Sequence, residues 1–327
     1  MDAMAISATR VDEPAPGAPA IETDDLVKRY GRSTALAGLS MRVERGEVFG
    51  FLGPNGAGKT TAVKLFLGLT SATSGSGRLL GAPLGDRETR RRIGYLPEMF
   101  RYQPWLRARE VLGLHGELAG IPAADRRDET RLALDTVGLA DRANDLVGTF
   151  SKGMQQRLGL AAALLGRPEL VLLDEPTSAL DPVGRADVRR IIEAARDRGT
   201  TVFLNSHLLS EVELVCDRVA VLDAGRLVAA GTLDELLGED AVRVRVTGLD
   251  GASRAALTTF GPVFDDTSDL DPDRDDGWLT IRPINPERVP DLVAAIVAAG
   301  GRVHAVEPGR ATLEERFLAL LGEHPAR

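Results

Sequence analysis

The segment from Gly53 to Thr60 combines glycines, a lysine and a hydroxyl residue in the order that phosphate binding requires. It matches G-x-x-x-x-G-K-[ST], follows a short apolar run and precedes a helical pattern, and we call it the P-loop. Its glycines let backbone N–H groups face phosphate oxygens, and the N-terminus of the next helix attracts the same anion. The residues predicted to bind a nucleotide here are Gly53, Pro54, Asn55, Gly56, Ala57, Gly58, Lys59, Thr60 and Thr61.

Within this loop, two side chains have separate predicted tasks. Lys59 is expected to contact the β- and γ-phosphates as a compact positive charge. The Thr60 hydroxyl is expected to be a ligand of Mg²⁺. The sequence therefore predicts binding of a nucleoside triphosphate together with a magnesium ion.

A second candidate site is the pair of acids, Asp174 and Glu175, that ends the apolar run Leu170–Leu173. In an open parallel sheet, ligands bind beyond the carboxyl ends of the strands. We therefore expect Asp174 to reach the Mg²⁺ shell and Glu175 to act as the general base for an attacking water. Two acids that merely begin a polar loop are the alternative, which the presence of a P-loop disfavours.

These loops require a parallel sheet to position them. Residues 21–240 alternate apolar strand-like runs with helical patterns, which predicts an α/β domain with a largely parallel sheet. The runs Glu47–Leu52 and Leu170–Leu173 are typical of strands that are buried on both faces. The stretch from about 100 to 166 is rich in Arg, Ala and Leu, and we interpret it as an inserted helical subdomain.

The composition changes near Gly238, which predicts a C-terminal domain over residues 241–327. Its expected order is βαββαβα, with one strand not assigned to a range. The assigned strands are 242–246, 278–282 and 302–307, and the helices are 251–260, 290–299 and one from Thr312, where Glu315 completes a capping box. Residues 1–20 are expected to be a disordered leader. The acidic loop 265–276 does not fit the EF-hand template and is expected to be a solvated loop.

Composition and charge exclude several classes of protein. Cys216 is the single cysteine, so an intrachain disulfide framework and a Cys-rich zinc site are excluded. The longest apolar run, 158–166, is shorter than the about 20 residues of a spanning helix, and we recognise no signal peptide. The net charge of −8 argues against non-specific nucleic-acid binding. We therefore expect a cytoplasmic protein with no nucleic-acid partner.

The segment Phe150-Ser151-Lys152-Gly153-Met154-Gln155-Gln156-Arg157 resembles the signature motif of ATP-binding cassette (ABC) ATPases, whose usual form is LSGGQQQR. It departs from that form at Phe150, Lys152 and Met154. The variant is similar to that of ABC exporters with separate membrane subunits, including the drug- and antibiotic-efflux (daunorubicin-resistance-like) type. The resemblance covers residues 21–230, and the ending 311–320 is similar to the accessory domain of that subfamily.

Four further positions resemble motifs of this family. Tyr30 lies where the family stacks an aromatic ring on adenine, and Glu98 stands where its Q-loop usually has Gln, close to Mg²⁺. Asp181 resembles the D-loop aspartate, and it is also predicted to cap the helix that starts at Pro182. His207, which follows the apolar run Thr201–Leu204, resembles the H-loop histidine that contacts the γ-phosphate.

The resemblance implies a P-loop NTPase cassette with a parallel core sheet, an antiparallel β subdomain, a helical subdomain and a small α+β C-terminal domain. It implies hydrolysis of ATP, with Mg²⁺, by a head-to-tail homodimer. Each ATP would lie between the P-loop of one subunit and Ser151 and Gly153 of the other, with Glu175 and His207 as catalytic residues.

The resemblance also implies a separate transmembrane permease as partner, with this chain peripheral on the inner face of the cell membrane. The segment Glu98–Arg107 is the predicted docking surface. Its apolar residues would either receive the permease or pack in the helical subdomain; they are Met99, Phe100, Tyr102 and Trp105.

Two other functions are alternatives to transport. A soluble ABC ATPase of DNA repair would need long coiled coils between Thr60 and Ser151, and one of translation control would need two cassettes, whereas every motif occurs once. A non-catalytic nucleotide-binding module is disfavoured because Lys59, Glu175 and His207 are all present. The sequence therefore favours the ATPase subunit of an exporter.

Overall fold

The computed structural model describes residues 17–178, 180–238, 240–266, 276–309 and 312–322. These residues form two compact units that meet in the sequence between Gly231 and Thr232. The predicted leader (1–20) and the predicted acidic loop (265–276) lie largely outside the described residues, as does Ala179 of the expected D-loop.

The first unit combines two sheets with helices. Its strands are β1 (Ile21–Tyr30), β2 (Ser33–Val43), β3 (Val48–Leu52), β4 (Ser74–Leu79), β5 (Ala82–Pro83), β6 (Ile93–Leu96), β7 (Leu170–Asp174), β8 (Thr201–Asn205), β9 (Arg218–Asp223) and β10 (Arg226–Thr232). Its helices are α1 (Lys59–Phe66), α2 (Arg87–Arg90), α3 (Ala108–Leu118), α4 (Arg126–Thr136), α5 (Lys152–Leu164), α6 (Pro182–Arg196) and α7 (Leu209–Val215).

The central sheet has the strand order β10-β9-β3-β8-β7-β6. β3 pairs in parallel with both β8 and β9, and β7 pairs in parallel with β6 and β8. Every residue of β3, β7 and β8 is buried, as the apolar composition of these runs predicts. The carboxyl ends of the three strands therefore lie side by side, and the segments that follow them meet at one edge of the sheet.

An antiparallel sheet with the order β2-β1-β4-β5 lies against this core. The two sheets share one hydrophobic cluster, in which Phe203 contacts three other aromatic rings. The ring centroids of Phe51, Phe66 and Phe49 lie 5.2, 5.6 and 6.0 Å from that of Phe203. Because these rings come from β3, β8 and α1, the cluster holds the two elements that flank the P-loop.

Between β6 and β7 the chain forms α3, α4 and α5, in the region interpreted as a helical subdomain. After β7, α6 begins at Pro182, and Asp181 Oδ1 accepts a hydrogen bond from Gly184 N at 2.7 Å, so the predicted cap is confirmed. The buried face of α6 is the one that its sequence predicts; it consists of Val188, Ile191, Ile192 and Ala195.

The second unit is a four-stranded antiparallel sheet with helices. Its elements are α8 (Leu233–Leu237), β11 (Val242–Thr247), α9 (Gly251–Ala256), β12 (Val263–Asp266), β13 (Asp276–Ile281), α10 (Val289–Ala298), β14 (Arg302–Pro308) and α11 (Leu313–Gly322). The strand order is β12-β13-β11-β14, and β12 is the strand that the sequence left without a range. Alternate residues of β11 pack in an apolar core with Leu292 and Ile296 of α10.

Both ends of this unit have contacts that the sequence only partly predicts. The capping box is confirmed, since Glu315 N donates to Thr312 Oγ1 and Thr312 N donates to Glu315 Oε2. α8 contacts α11, and Arg316 Nε donates to Leu236 O at 2.8 Å. These contacts place α8 in the second unit, so that unit begins before the change of composition near Gly238. No helix in the described part of the chain is long and apolar enough to cross a bilayer.

Candidate nucleotide site

The P-loop connects β3 to α1 and fits tightly against neighbouring backbone. A Cβ atom added to Gly53 would lie 2.3 Å from Leu222 O, and one added to Gly58 would lie 2.3 Å from Ala35 O. Gly58 also has φ +108, a conformation that other residues rarely adopt. These two glycines therefore let the loop turn into α1 while it contacts β2 and the end of β9.

Lys59 is the first residue of α1 and is 8% exposed. Its Nζ donates to Gly53 O at 2.6 Å and to Pro54 O at 3.2 Å, so the ammonium bridges the loop. Burial lowers the pKa of Lys59, while the negative charges of Glu175, Asp174 and Glu98 raise it. An ammonium has three donors, so Lys59 can hold the loop and still donate to a phosphate.

Asp174 is the last residue of β7 and Glu175 follows it, and both are buried. Burial raises the pKa of both carboxyls, because the charged form loses hydration. Glu175 adopts φ +53, which turns the chain sharply after the strand. A raised pKa makes a carboxylate a better proton acceptor, which is the property that a general base needs.

Asn205, the last residue of β8, is a site residue to which sequence reasoning gave no role. Its Nδ2 donates to Asp174 Oδ1 at 2.5 Å, and its carbonyl oxygen accepts from Glu175 N at 2.8 Å. It is 3% exposed, and its Oδ1 has no hydrogen-bond partner among the described residues. The sequence did carry a signal for this role, since Asn205 is a polar residue at the end of an apolar strand. A buried polar side chain needs a hydrogen-bond partner, so a polar group was to be expected beside it.

His207 reaches the site from the segment after β8. Its Nδ1 lies 2.7 Å from Glu175 Oε2, and its side chain is 56% exposed. The contact with His207 lowers the pKa of Glu175 and so opposes the effect of burial. Because Nδ1 is the ring nitrogen that lies beside Glu175, Nε2 is the one left to face a ligand.

The three predicted metal ligands are Thr60, Asp174 and Glu98. Thr60 is exposed in the first turn of α1, and Asp174 and Glu98 are close enough that Glu98 raises the pKa of Asp174. All three offer oxygen atoms, the ligand type that Mg²⁺ prefers. No group of three or more His, Cys, Asp or Glu residues in the described ranges could hold a metal alone. The residues therefore fit a Mg²⁺ that also has phosphate oxygens as ligands.

Tyr30 lies at the end of β1, next to the turn into β2. Its side chain is 47% exposed, and Lys28 Nζ lies 4.8 Å from the centroid of its ring. The same hairpin brings Ala35 against Gly58 of the P-loop. An exposed ring at this end of the hairpin is available for stacking.

Ser151 and Gly153 begin α5 and are not joined to the P-loop by a hydrogen bond among the described residues. Ser151 Oγ accepts from Met154 N at 3.2 Å, and Leu180 Cδ2 lies 3.7 Å from the Cβ position of Gly153. The start of α5 therefore lies against Leu180, the residue before the cap of α6.

The predicted docking segment divides into exposed and packed residues. Met99 and Trp105 are 86% and 69% exposed. The ring of Phe100 packs on that of Tyr102 at 5.3 Å, and Tyr102 packs on His115 at 5.7 Å. Burial raises the pKa of Tyr102 to about 12. Phe100 and Tyr102 are therefore packing residues, which leaves Met99 and Trp105 as the accessible apolar side chains.

Comparison with known proteins gives consistent matches. A family model described as ABC transporter matches residues 36–178, which include the P-loop, Ser151 and Glu175. An uncharacterized ABC transporter ATP-binding protein of Nostoc sp. is 41% identical over 308 residues, covering 91% of this chain and 88% of that protein. The daunorubicin/doxorubicin resistance ATP-binding protein DrrA of Streptomyces peucetius is 36% identical over 312 residues, covering 94% and 93%.

Solved structures agree with this result. The structure of an ATP binding subunit of an ABC transporter matches with a TM-score of 0.61 and 31% identity, covering 66% of this chain and 91% of that one. The predicted P-loop NTPase cassette fold is confirmed by this likeness. The relatives are proteins of transporters, which favours transport over DNA repair or translation control. The chain therefore belongs to the ATP-binding, ATP-hydrolysing subunits of ABC transporters.

Proposed function

We propose that this chain drives export as a head-to-tail homodimer bound to a separate membrane permease, with two ATP molecules at the dimer interface. The observation that carries the proposal is Glu175: a buried carboxyl with a raised pKa, next to Asp174 and in contact with His207. This arrangement suits a base for the attack of water on a phosphate.

Phosphate binding is assigned to the P-loop amides and Lys59, with Tyr30 stacked on the adenine. Thr60 and Asp174 would hold Mg²⁺, with Glu98 beside them. When bound, Mg²⁺ neutralises charge on the β- and γ-phosphates. Glu175 would then take the proton of the attacking water, and His207 would donate to the γ-phosphate while it orients Glu175.

The dimer is proposed because the N-terminus of α5 can bind an anion but, among the residues that the structure describes, is not joined by a hydrogen bond to the P-loop of the same subunit. The first turn of α5 has no acidic residue, and a helix N-terminus attracts negative charge. Ser151 Oγ accepts from Met154 N, so its own O–H is still a donor. The γ-phosphate of an ATP bound to a second subunit would accept hydrogen bonds from this end of the helix, and Asp181 would lie close to that phosphate.

The permease is proposed to contact the exposed apolar residues Met99 and Trp105. Large apolar side chains at 86% and 69% exposure gain most from burial against a partner. This contact would keep the chain peripheral on the inner face of the membrane. The relative DrrA is named for resistance to daunorubicin and doxorubicin, and we propose by likeness that the cargo here is also a drug or antibiotic.

The test is the Glu175→Gln variant, studied with Lys59→Ala as its control. The amide keeps the shape of Glu175 but cannot accept a proton, so hydrolysis should slow by about 10²–10⁴-fold. ATP binding should persist, and the ATP-bound variant should accumulate as a dimer on size exclusion. Lys59→Ala should lose most of its ATP binding and remain a monomer. Turnover at the wild-type rate in Glu175→Gln would contradict the assignment of the base.

A further inference from the structure

A groove with a volume of about 510 Å³ lies between α3 and α4, in a part of the chain for which the proposed function gives no role. Small or apolar residues line it, among them Gly113, Ala123, Leu134 and Ala143. Its size falls within the roughly 300–1,000 Å³ that is usual for small-molecule sites. The groove can therefore accommodate the apolar body of a ligand.

The charged residues of the groove are mostly of one sign. Four arginines line it, namely Arg109, Arg126, Arg127 and Arg131, against the single acid Glu110. Glu110 Oε2 already accepts a hydrogen bond from Arg107 N at 2.8 Å, at the N-terminus of α3. The groove is therefore positively charged, although the chain as a whole carries a net charge of −8.

Two of the four arginines are already engaged by other groups. Arg126 Nη1 lies 3.3 Å from Glu117 Oε2, and Arg126 Nε donates to Ile121 O at 2.8 Å. Arg131 Nη2 lies 3.4 Å from Asp128 Oδ1. Arg109 and Arg127 are exposed, and neither forms an ion pair with any residue that the structure describes. Their guanidinium groups are therefore available to a ligand.

We propose that this groove binds an amphipathic anion, a molecule with an apolar chain or ring and a carboxylate or phosphate. The apolar part would cover the floor around Leu134 and Ala143, and the anion would take up the free guanidinium donors of Arg109 and Arg127. Guanidinium groups bind carboxylate and phosphate through two parallel hydrogen bonds, which gives the site its preference for these anions. A free fatty-acid-like molecule and an anionic lipid of a bilayer share this chemistry. The site does not depend on the proposed export function.

The test uses the full-length protein and the fluorescent fatty acid dansyl-undecanoate as probe. We expect saturable binding to the wild type and at least about tenfold weaker binding to the Arg109→Ala/Arg127→Ala double variant. Arg87→Ala, which removes an exposed arginine elsewhere in the first unit, is the matched control and should bind the probe like the wild type. The uncharged amide of the probe should bind at least about tenfold more weakly than the acid.

Folding is checked by nucleotide titration, which should give the same affinity for both variants and the wild type. Absence of saturable binding to the wild type would overturn the proposal, and so would equal binding by the double variant. Cosedimentation with vesicles then distinguishes the source of the ligand. Arginine-dependent binding to phosphatidylglycerol vesicles but not to phosphatidylcholine vesicles identifies a bilayer lipid. Binding of the free probe alone, with the same dependence on the arginines, identifies a soluble amphiphile.

Discussion

Asn205 is in contact with both acids of the nucleotide site. Its side chain donates to Asp174, and its backbone oxygen accepts from the amide of Glu175. All three residues are buried, so the side-chain hydrogen bond replaces hydration that the carboxylate of Asp174 has lost. Asn205 therefore holds the carboxylate of Asp174 and the backbone of Glu175 in place before any ligand arrives.

We expect Asn205→Ala to lower the free energy of unfolding by about 1–3 kcal/mol, because it leaves the buried carboxylate of Asp174 without a donor. Urea unfolding of the single variants and of the Asp174→Ala/Asn205→Ala double variant measures this. The loss caused by Asn205→Ala should shrink when Asp174 is already absent. Equal losses in both backgrounds would show that the hydrogen bond does not contribute.

Glu98 adds a negative charge to a site that already holds two. It raises the pKa of Asp174 and acts on the charge of Lys59, so it is electrostatically part of the site. We expect Glu98→Gln to raise the Mg²⁺ concentration for half-maximal ATPase activity by up to about fivefold, about 1 kcal/mol for one exposed charge. Titration of Mg²⁺ at fixed ATP measures this shift. Glu88→Gln on α2 is the control, and an unchanged Mg²⁺ requirement in Glu98→Gln would assign Glu98 a steric role only.

At the scale of elements, Glu169 connects three segments at the amino ends of the parallel strands. It precedes β7 and accepts hydrogen bonds from Arg92 Nε and Nη2 before β6, at 2.5 and 2.8 Å. Arg45 Nη1, in the turn between β2 and β3, donates to it at 2.7 Å. These bonds lower the pKa of Glu169 to about 2. The contact thus fastens the antiparallel sheet to two strands of the central sheet.

The lowered pKa makes this contact sensitive to acid. Glu169 titrates near 4.5 when the chain is unfolded and near 2 when it is folded, so its stabilising effect is complete above pH 4.5 and is lost as the pH falls toward 2. We expect Glu169→Gln to be less stable than the wild type at pH 7 and to approach it in acid. Urea unfolding at several pH values measures this difference. Glu88→Gln, whose pair with Arg91 is exposed, should differ little from the wild type, and a pH-independent penalty in Glu169→Gln would contradict this explanation.

These contacts show where sequence reasoning reached its limit. The P-loop, the buried strands β3, β7 and β8, and the cap at Asp181 depend on residues a few positions apart, and local patterns predicted them. The bond between Asn205 and Asp174 joins residues 31 positions apart, and that between Arg45 and Glu169 joins residues 124 apart. Both depend on which strands are neighbours, and no local pattern specifies the order of strands.

At the scale of the molecule, the chain is two compact units, and every nucleotide motif lies in the first. The first residues of the second unit belong to α8, which contacts α11 at the other end of that unit. A truncation at the change of composition near Gly238 would therefore keep α8 without its packing partner. The boundary between Gly231 and Thr232 separates the units without this loss.

We expect a chain that ends at Gly231 to bind ATP with the affinity of the full chain. A chain that ends at Asp240 should bind ATP equally well. It should unfold at a lower temperature than the chain that ends at Gly231, because it keeps α8 without α11, the helix on which α8 packs. Nucleotide titration and thermal unfolding of both truncations measure these differences. A folded chain ending at Gly231 that cannot bind ATP would show that the nucleotide site depends on the second unit.

The backbone conformation and the burial of Glu175 both lower the stability of the folded chain. A residue other than glycine at φ +53 is strained by about 1 kcal/mol or more, and its buried carboxyl has also given up its hydration. Glycine at this position would remove both costs and with them the proposed base. Selection for a robust fold alone would therefore discard Glu175, so a library of variants sorted only for heat resistance should become enriched in inactive chains altered here.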